Sequence, residues 1–341
     1  MKYRRLGKSE LKVSCPGFGG IPITTISPNA AEKCIGAALD LGINFIDTAR
    51  AYKDSEYKIG KALKSLPIKR ENIILATKAL PGDIKDLRSS LEESLKNLQT
   101  DYIDLFQLHN ISNQEKLDHS MELTEEMENF KKQGKIRHIG VTVHGVDWVN
   151  TVIQTGIFET VMVALNFIVK EPVEVVLPLA RKLDIGVIAM KPMAGGEIDN
   201  PALAFKFFLD LEDVVPVVGI NKPEHIVEIA EIFEKTLVVT EEDIREMERI
   251  RRETGEIFCR RCGYCTPCPQ GVDIVSLNVF PSIIKRYPPL QMAKAMEKSL
   301  QSYQGCVDCG ECEQKCPYEL AIRDMMKRSY NTYLRLMKTG A

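Results

Sequence analysis

The sequence lacks several features that would place it in a specialised class of protein. Its 341 residues carry a formal net charge of −2, so the excess of basic residues that binds nucleic acid is missing. Its longest apolar runs are far shorter than the roughly 20 residues that span a bilayer, which predicts no insertion into a membrane. No apolar segment typical of a signal peptide follows the basic N-terminus, so we expect a cytoplasmic protein.

A glycine-rich dinucleotide fingerprint is also missing after the early apolar runs. Its absence argues against a doubly wound nucleotide-binding sheet, which is the alternative to the fold favoured below. Apolar residues make up 44% of the chain and charged residues 27%, as in an ordinary globular protein with a large core. The fold class must therefore come from the pattern of apolar residues.

Short apolar runs alternate with longer amphipathic segments along most of the chain. The runs read as strands are residues 15–19, 44–47, 73–77, 103–108, 136–141, 160–165, 186–190 and 214–218. Most precede a segment with apolar residues at helical spacing, as in 29–41, 84–98, 114–133 and 173–183. Continuous apolar strands joined by helices indicate a parallel sheet buried on both faces. The pattern predicts an α/β fold, a (β/α)8 TIM barrel.

Two further segments flank the predicted barrel. Residues 2–6 and 11–14 surround Gly7-Lys8-Ser9 and predict a hairpin that closes the bottom of the barrel. Thr240 is expected to cap a charged helix over 241–254, with Asp243 in the capping-box position. We assign the barrel to residues 1–255 and a small helical ferredoxin-like domain to residues 256–341.

Eight of the ten cysteines form two tight runs near the C-terminus. The first run is Cys259, Cys262, Cys265 and Cys268, and the second is Cys306, Cys309, Cys312 and Cys316. The second matches the ferredoxin spacing C-x2-C-x2-C-x3-C-P, whereas the first is one residue shorter before its last cysteine. We predict two 4Fe-4S clusters.

In ferredoxin spacing the fourth cysteine, next to proline, serves the other cluster. The prediction is therefore a crossed pairing. One cluster takes Cys259, Cys262, Cys265 and Cys316, and the other takes Cys306, Cys309, Cys312 and Cys268. A single cluster and two zinc sites are the open alternatives. Disulfides would need an oxidising compartment. Cys15 and Cys34 stand apart and are predicted core thiols.

Four polar side chains follow three neighbouring predicted strands. They are Asp47 and Tyr52 after the second strand, Lys78 at the end of the third and His109 at the end of the fourth. Because barrel enzymes carry their catalytic groups at the carboxyl ends of strands, these four side chains are expected to converge at one mouth. We call them the tetrad.

The chain resembles the aldo-keto reductase superfamily. The match lies in D-T-A-R-A-Y-K-D-S-E, A-T-K and D-L-F-Q-L-H-N, supported by G-F-G-G, M-K-P-M-A-G-G and G-I-N-K-P-E-H-I. Together with the cysteine runs it is similar to the branch that carries a C-terminal ferredoxin-type domain. The resemblance covers nearly all of the chain.

The resemblance implies NAD(P)H-dependent reduction of an aldehyde or ketone, or the reverse oxidation of an alcohol. Tyr52 is the expected general acid. A free phenol has a pKa near ~10, and a nearby Lys78 would lower it. Asp47 would keep Lys78 charged and oriented, and His109 would bond the substrate oxygen.

The resemblance also implies which residues hold the nicotinamide cofactor, with NADPH as the family default and NADH as the alternative. The nicotinamide end is assigned to Gly19, Gly20, Ile21, Thr142 and Asn166. The pyrophosphate is assigned to Pro192, Met193, Ala194, Gly195 and Gly196. The adenosine end is assigned to Gly219, Asn221, His225 and Glu228. Thr142-Val143 stands where the family has Ser-Asn, and His144 is a candidate for the missing amide contact.

Three functions remain open at this point. The first is a carbonyl reductase with attached clusters. The second is an electron-transfer protein in which the barrel docks a redox partner and the clusters relay single electrons. The third is a cofactor-sensing regulatory module. The intact tetrad favours catalysis, and the clusters are either redox-active or structural.

Overall fold

The computed structural model describes residues 1–234, 238–255, 257–261 and 263–339. The chain divides into two compact units, Met1–Ala194 with Ile198–Arg249, and Gly195–Glu197 with Ile250–Ala341. A continuous helix, Glu241–Thr254, spans this division. We therefore propose that the domain boundary follows this helix, after residue 255.

The first unit is a closed barrel of eight parallel strands preceded by a hairpin. The hairpin pairs β1 (Lys2–Arg5) with β2 (Lys12–Cys15). The barrel strands are β3 (Gly17–Gly19), β4 (Phe45–Asp47), β5 (Ile74–Ala79), β6 (Ile103–Leu108), β7 (Ile136–Val143), β8 (Thr160–Ala164), β9 (Gly186–Met190) and β10 (Val214–Gly219). Strand β10 pairs with β3 and closes the barrel. The predicted fold class is confirmed.

Helices lie between the strands and after the last one. They are α1 (Pro28–Asp40), α2 (Ser55–Ser65), α3 (Ile84–Leu98), α4 (Gln114–Glu122), α5 (Thr124–Lys132), α6 (Val146–Gln154), α7 (Glu171–Val175), α8 (Leu177–Lys182), α9 (Pro201–Lys206), α10 (Pro223–Glu234) and α11 (Glu241–Thr254). The segments 114–133 and 173–183, each predicted as one helix, are two helices each. In the second, Pro178 has no N–H to bond the carbonyl one turn earlier, so the helix restarts.

Side chains at the helix starts satisfy backbone N–H groups that have no partner within the helix. Asp83 accepts a bond from the N–H of Asp86 at 2.8 Å and so starts α3. At the start of α11 the N–H of Thr240 donates to Asp243, and the N–H of Asp243 donates back to the Thr240 hydroxyl. The predicted capping box is confirmed.

The hairpin closes the amino-terminal end of the barrel, as predicted. Leu6 and Val13 are fully buried in a cluster with side chains of the barrel strands. Gly7 forms a backbone bridge with Ile185, which directly precedes β9. Arg5 pairs with Asp184 at 2.5 Å on the same side. The catalytic end of such a barrel is the opposite one.

The second unit is helical. Its helices are α12 (Ile274–Arg286), α13 (Pro289–Ala295), α14 (Glu297–Gln301), α15 (Glu311–Gln314) and α16 (Ile322–Thr339). A core of Leu277, Phe280, Ala293, Leu300 and Met326 joins them, and Cys265 and Cys312 belong to the same cluster. Within the described ranges, no helix is long and apolar enough to cross a membrane.

Two helical glycines give a test of the packing around the barrel. A Cβ on Gly60 in α2 would lie 2.2 Å from the carbonyl oxygen of Asn97, whereas a Cβ on Gly36 in α1 would meet Leu66 at 3.6 Å, an ordinary contact. Gly60→Ala should destabilise the protein by about 1–3 kcal/mol through overpacking. Gly36→Ala should be neutral or stabilising by up to about 1 kcal/mol. Urea unfolding of both variants checks this, and equal effects would contradict the packing.

Candidate functional site

The structure brings the tetrad together at the carboxyl ends of β4, β5 and β6, which are neighbours in the barrel. The Lys78 Nζ lies 2.6 Å from Asp47 Oδ2. The same ammonium is 5.0 Å from the centroid of the Tyr52 ring. The rings of Tyr52 and His109 meet edge to face, with their centroids 5.8 Å apart. One cation therefore lies between a carboxylate and a phenol.

Asp47 and Lys78 form a buried ion pair. Burial raises the pKa of Asp47 and lowers the pKa of Lys78, because desolvation disfavours both charges, while the contact between them favours the charged forms. Lys78 also donates to the carbonyl oxygen of Thr48 at 2.6 Å. Each charge therefore depends on the other, and the lysine is held in one place.

Gln107 is a site residue that the sequence analysis did not name. Its Nε2 donates to Asp47 Oδ1 at 3.2 Å, so the aspartate oxygen not bonded to Lys78 is also held. It is fully buried in β6, two residues before His109. Since alternate residues of a strand share a face, this spacing was the available signal.

His109 is held in its neutral form. It is 3% exposed, and burial together with the charges of Lys78, Lys116 and Lys191 lowers its pKa to about 3. At neutral pH its ring therefore carries one N–H to donate and one nitrogen to accept. A neutral imidazole beside a phenol can orient a substrate oxygen by a hydrogen bond.

The residues predicted for the cofactor lie mainly on the other barrel strands. Gly19 ends β3, Thr142 lies in β7, Asn166 follows β8 and Gly219 ends β10. The loop of Pro192, Met193 and Ala194 follows β9, and Gly195 and Gly196 belong to the second unit. Because β7, β8, β9, β10 and β3 are consecutive in the barrel, they form an arc beside the three strands of the tetrad.

The remaining predicted cofactor residues lie near the start of α10 or directly after β3. Asn221 precedes α10, and His225 and Glu228 are exposed on its first two turns. Ile21 is half exposed after β3. The N–H of Gly20 donates to the carbonyl oxygen of Asp47 at 2.8 Å. A Cβ on Gly20 would lie 2.6 Å from Ser55 Oγ, so only glycine fits.

Two of the predicted cofactor residues already use much of their hydrogen-bonding capacity. The Asn166 Oδ1 accepts from the N–H groups of Ile168 and Val169, and its Nδ2 donates to the carbonyl oxygen of Lys191 at 3.0 Å. The Thr142 hydroxyl accepts from the N–H of Asn110 at 2.8 Å. Asn166 keeps one amide hydrogen and Thr142 its hydroxyl hydrogen for a ligand. His144, which is buried next to His109, remains the candidate for a further contact.

In the second unit, five cysteines line one cavity. They are Cys265, Cys268, Cys306, Cys309 and Cys312. Cys316 is partly buried against the same apolar cluster, Cys259 is partly exposed, and Cys262 lies outside the described residues. The cavity therefore brings the last cysteine of the first run to the first three of the second.

This donor set fits a cubane cluster. A 4Fe-4S cluster binds four thiolates at its four irons, so its ligands surround a cavity and do not meet at one point. Among the residues that the structure describes, no three His, Cys, Asp or Glu side chains converge closely enough to hold a single metal ion. The cavity brings together thiols of both runs, Cys265 and Cys268 of the first and Cys306, Cys309 and Cys312 of the second, which are enough for the four ligands of one cubane.

A parallel eight-stranded barrel with this tetrad at its mouth defines an oxidoreductase of the barrel type. A family model described as "Aldo/keto reductase family" matches residues 17–202, more than half of the chain. The chain therefore belongs to the aldo/keto reductase family, and it is an oxidoreductase. A second model, described as "4Fe-4S dicluster domain", matches residues 258–321. The predicted family and its iron–sulfur branch are thereby confirmed.

Individual proteins agree with the family model. The uncharacterized oxidoreductase YqkF of Bacillus subtilis is 32% identical over 219 residues, which are 60% of this chain and 68% of that protein. L-galactose dehydrogenase of Arabidopsis thaliana is 32% identical over 58% of this chain and 66% of its own length. The holo form of aldo-keto reductase AKR11C1 from Bacillus halodurans superposes with a TM-score of 0.64 and 27% identity, covering 73% of this chain and 96% of that one. The match thus spans about two thirds of the curated relatives.

The histidines give a test of the electrostatics at the mouth. His109 should stay neutral from pH 8 to pH 5, because burial and nearby lysines hold its pKa near 3. His119 is the internal control, since its bonds to the carbonyl oxygen of Gly82 and to Glu122 raise its pKa. Ring shifts measured by NMR, with His109→Gln for assignment, should move with pH for His119 and stay constant for His109. A His109 midpoint near 6.5 would contradict the site.

The crossed cysteine pairing gives a second test. Cys268→Ala should damage the cluster held by Cys306, Cys309 and Cys312, because Cys268 lines their cavity. Cys316→Ala should instead damage the cluster of the first run. Iron and sulfide counts and electron paramagnetic resonance of anaerobically purified variants check this. Cys34→Ala, which removes a buried thiol in α1, is the control with full iron. If instead each run binds its own cluster, Cys268→Ala will lose the signal of the first run's cluster and Cys316→Ala that of the second run's cluster.

Proposed function

We propose that the protein reduces an aldehyde or ketone with NADPH, or oxidises the corresponding alcohol, using Tyr52 as the general acid. The observation that carries this proposal is the Lys78 ammonium, which lies 2.6 Å from Asp47 and 5.0 Å from the Tyr52 ring centroid. A cation close to a phenol stabilises the negative charge that develops as the proton leaves. NADH is the alternative cofactor.

The tetrad divides the work of carbonyl reduction. The nicotinamide, when bound, supplies the hydride. Tyr52 donates a proton to the carbonyl oxygen, and the Lys78 ammonium, 5.0 Å from the Tyr52 ring centroid, stabilises the charge left on the phenol. Asp47 holds the Lys78 ammonium, and Gln107 in turn holds the other carboxylate oxygen of Asp47. Neutral His109 donates its N–H to the same carbonyl oxygen, and one such preorganised donor is worth on the order of 3 kcal/mol.

The arc of β7 to β10 and β3 would hold the cofactor. We assign its nicotinamide to Gly19, Gly20, Ile21, Thr142 and Asn166. The pyrophosphate is assigned to residues 192–196, and the adenosine to Gly219, Asn221, His225 and Glu228. The N–H groups at the start of α10 would favour the negative charge of a phosphate on the adenosine part of the cofactor. The Gly20–Asp47 hydrogen bond would then set the cofactor against the tetrad.

The second unit would hold two 4Fe-4S clusters with the crossed ligands described above. A second function, electron transfer to a redox partner protein, is favoured by one observation. Cys309 and Val307 are exposed beside the cysteine-lined cavity, so a cluster there would lie near the surface. Titration of the anaerobic protein with NADPH, followed at the cluster absorbance, separates the two roles, since bleaching requires electrons to pass from the nicotinamide to the clusters. We further propose a cytoplasmic location, where such clusters are assembled.

The assignment of Tyr52 is tested by its phenylalanine variant. Tyr52→Phe should lower turnover about 10²–10⁴-fold, the loss expected for a missing general acid, while cofactor affinity changes little. Tyr57→Phe is the matched control, because Tyr57 is half exposed in α2 and should keep full activity. Turnover with simple aldehydes and cofactor binding by fluorescence are measured on each. Retention of more than about a tenth of wild-type turnover by Tyr52→Phe would refute the assignment.

A further inference from the structure

Asn110, the residue after His109, has a buried amide oxygen with no protein partner. It is 7% exposed, and its Oδ1 has no hydrogen bond among the residues that the structure describes. Its backbone is left-handed, with φ of 68°, and is held there by the bond from its N–H to Thr142. A buried polar atom without a partner is destabilising, and strain of this kind concentrates at functional sites. The oxygen is thus available to a bound molecule.

Lys116 places an ammonium over the same loop. It lies in the first turn of α4 and is partly buried. Its Nζ is 3.1 Å from Ser112 Oγ and 3.5 Å from the carbonyl oxygen of Asn110. None of the ion pairs formed by the described residues includes Lys116, whereas the buried Lys58 and Lys78 each pair with an aspartate. Lys116 thus has no carboxylate at ion-pair distance among the described residues, and only the charge of the neighbouring Glu115 acts on it from within its own helix turn.

The surroundings of His109 are electropositive as a result. Lys78, although paired with Asp47, acts on the His109 ring, and Lys116 and Lys191 add further positive charge there. Burial lowers the pKa of Lys116, and a bound anion would restore it. Lys191 directly precedes the loop assigned to the pyrophosphate, so a cofactor phosphate is its natural partner. Lys116 follows β6, on the tetrad side of the mouth, where the substrate must lie.

We propose that Lys116 and Asn110 form a subsite for a carboxylate-bearing substrate, so that the preferred substrate is an aldehyde or ketone with an acid group. This inference rests on the proposed reductase function. The ammonium of Lys116 pairs with the carboxylate, and Asn110 accepts a hydrogen bond from a neighbouring hydroxyl of the substrate. His109 and Tyr52 then hold the carbonyl end.

The test compares two aldehydes of equal shape and different charge, 4-carboxybenzaldehyde and 4-formylbenzamide. Lys116→Gln should lower kcat/KM for the acid about 10–100-fold, as expected for the loss of a charged hydrogen bond. The neutral amide should change less than about threefold. Lys132→Gln, an exposed lysine on α5, is the control with no effect on either. Equal loss for both aldehydes would show a structural role and overturn the subsite.

A binding measurement keeps the subsite testable if turnover is absent. Calorimetry with 4-methylbenzoate and 4-methylbenzamide is done on the holoprotein saturated with NADP+. The wild type should prefer the carboxylate, and Lys116→Gln should lose that preference while Tyr52→Phe keeps it. A wild type that binds both compounds equally would overturn the subsite. Carboxylate preference without turnover would instead count against the reductase function alone.

Discussion

The ion pair between Asp47 and Lys78 is the interaction on which the mouth of the barrel depends. Both groups are buried, so each charge is sustained mainly by the other, with the bonds from Gln107 and to Thr48 and the charge of Glu56 in support. Removing one partner of such a pair leaves an uncompensated charge, at a cost of about 3–5 kcal/mol. The pair thereby fixes a cation beside the Tyr52 ring. The neutral state of His109 follows in part from that same cation.

The order of strands in the barrel separates two tasks. Strands β4, β5 and β6 carry the tetrad, to which we assign proton transfer, and the remaining five strands carry most of the residues assigned to the cofactor. Parallel strands bring all their carboxyl ends to one rim, so residues far apart in sequence become neighbours. The hairpin closes the opposite end with Leu6 and Val13.

Periodicity was sufficient to predict the barrel, because fully buried parallel strands are continuous apolar runs. Strands β6 and β9 begin and end at the predicted residues, and the tetrad lies at the carboxyl ends of the strands, as predicted. The hydrogen-bond partners of individual side chains were harder to predict. The amide of Asn166 is turned into its own loop, and Gln107 supports Asp47 across two strands. Such contacts depend on distances between strands that no local pattern encodes. The spacing rule placed Cys268 with the second run, and the cavity there is lined by both Cys265 and Cys268, so the crossed pairing stays a prediction.

The hydrogen bond from Gly20 to the carbonyl oxygen of Asp47, with Ser55 donating to the carbonyl oxygen of Gly20, ties two parts of the rim into one rigid piece. Under the proposed function, the donor of hydride and the donor of the proton are held by the same short network. The distance between them would then be insensitive to changes in the outer loops. Under the same proposal, substitutions in those loops or at Lys116 in α4 would change which substrate binds while these two donors keep their separation.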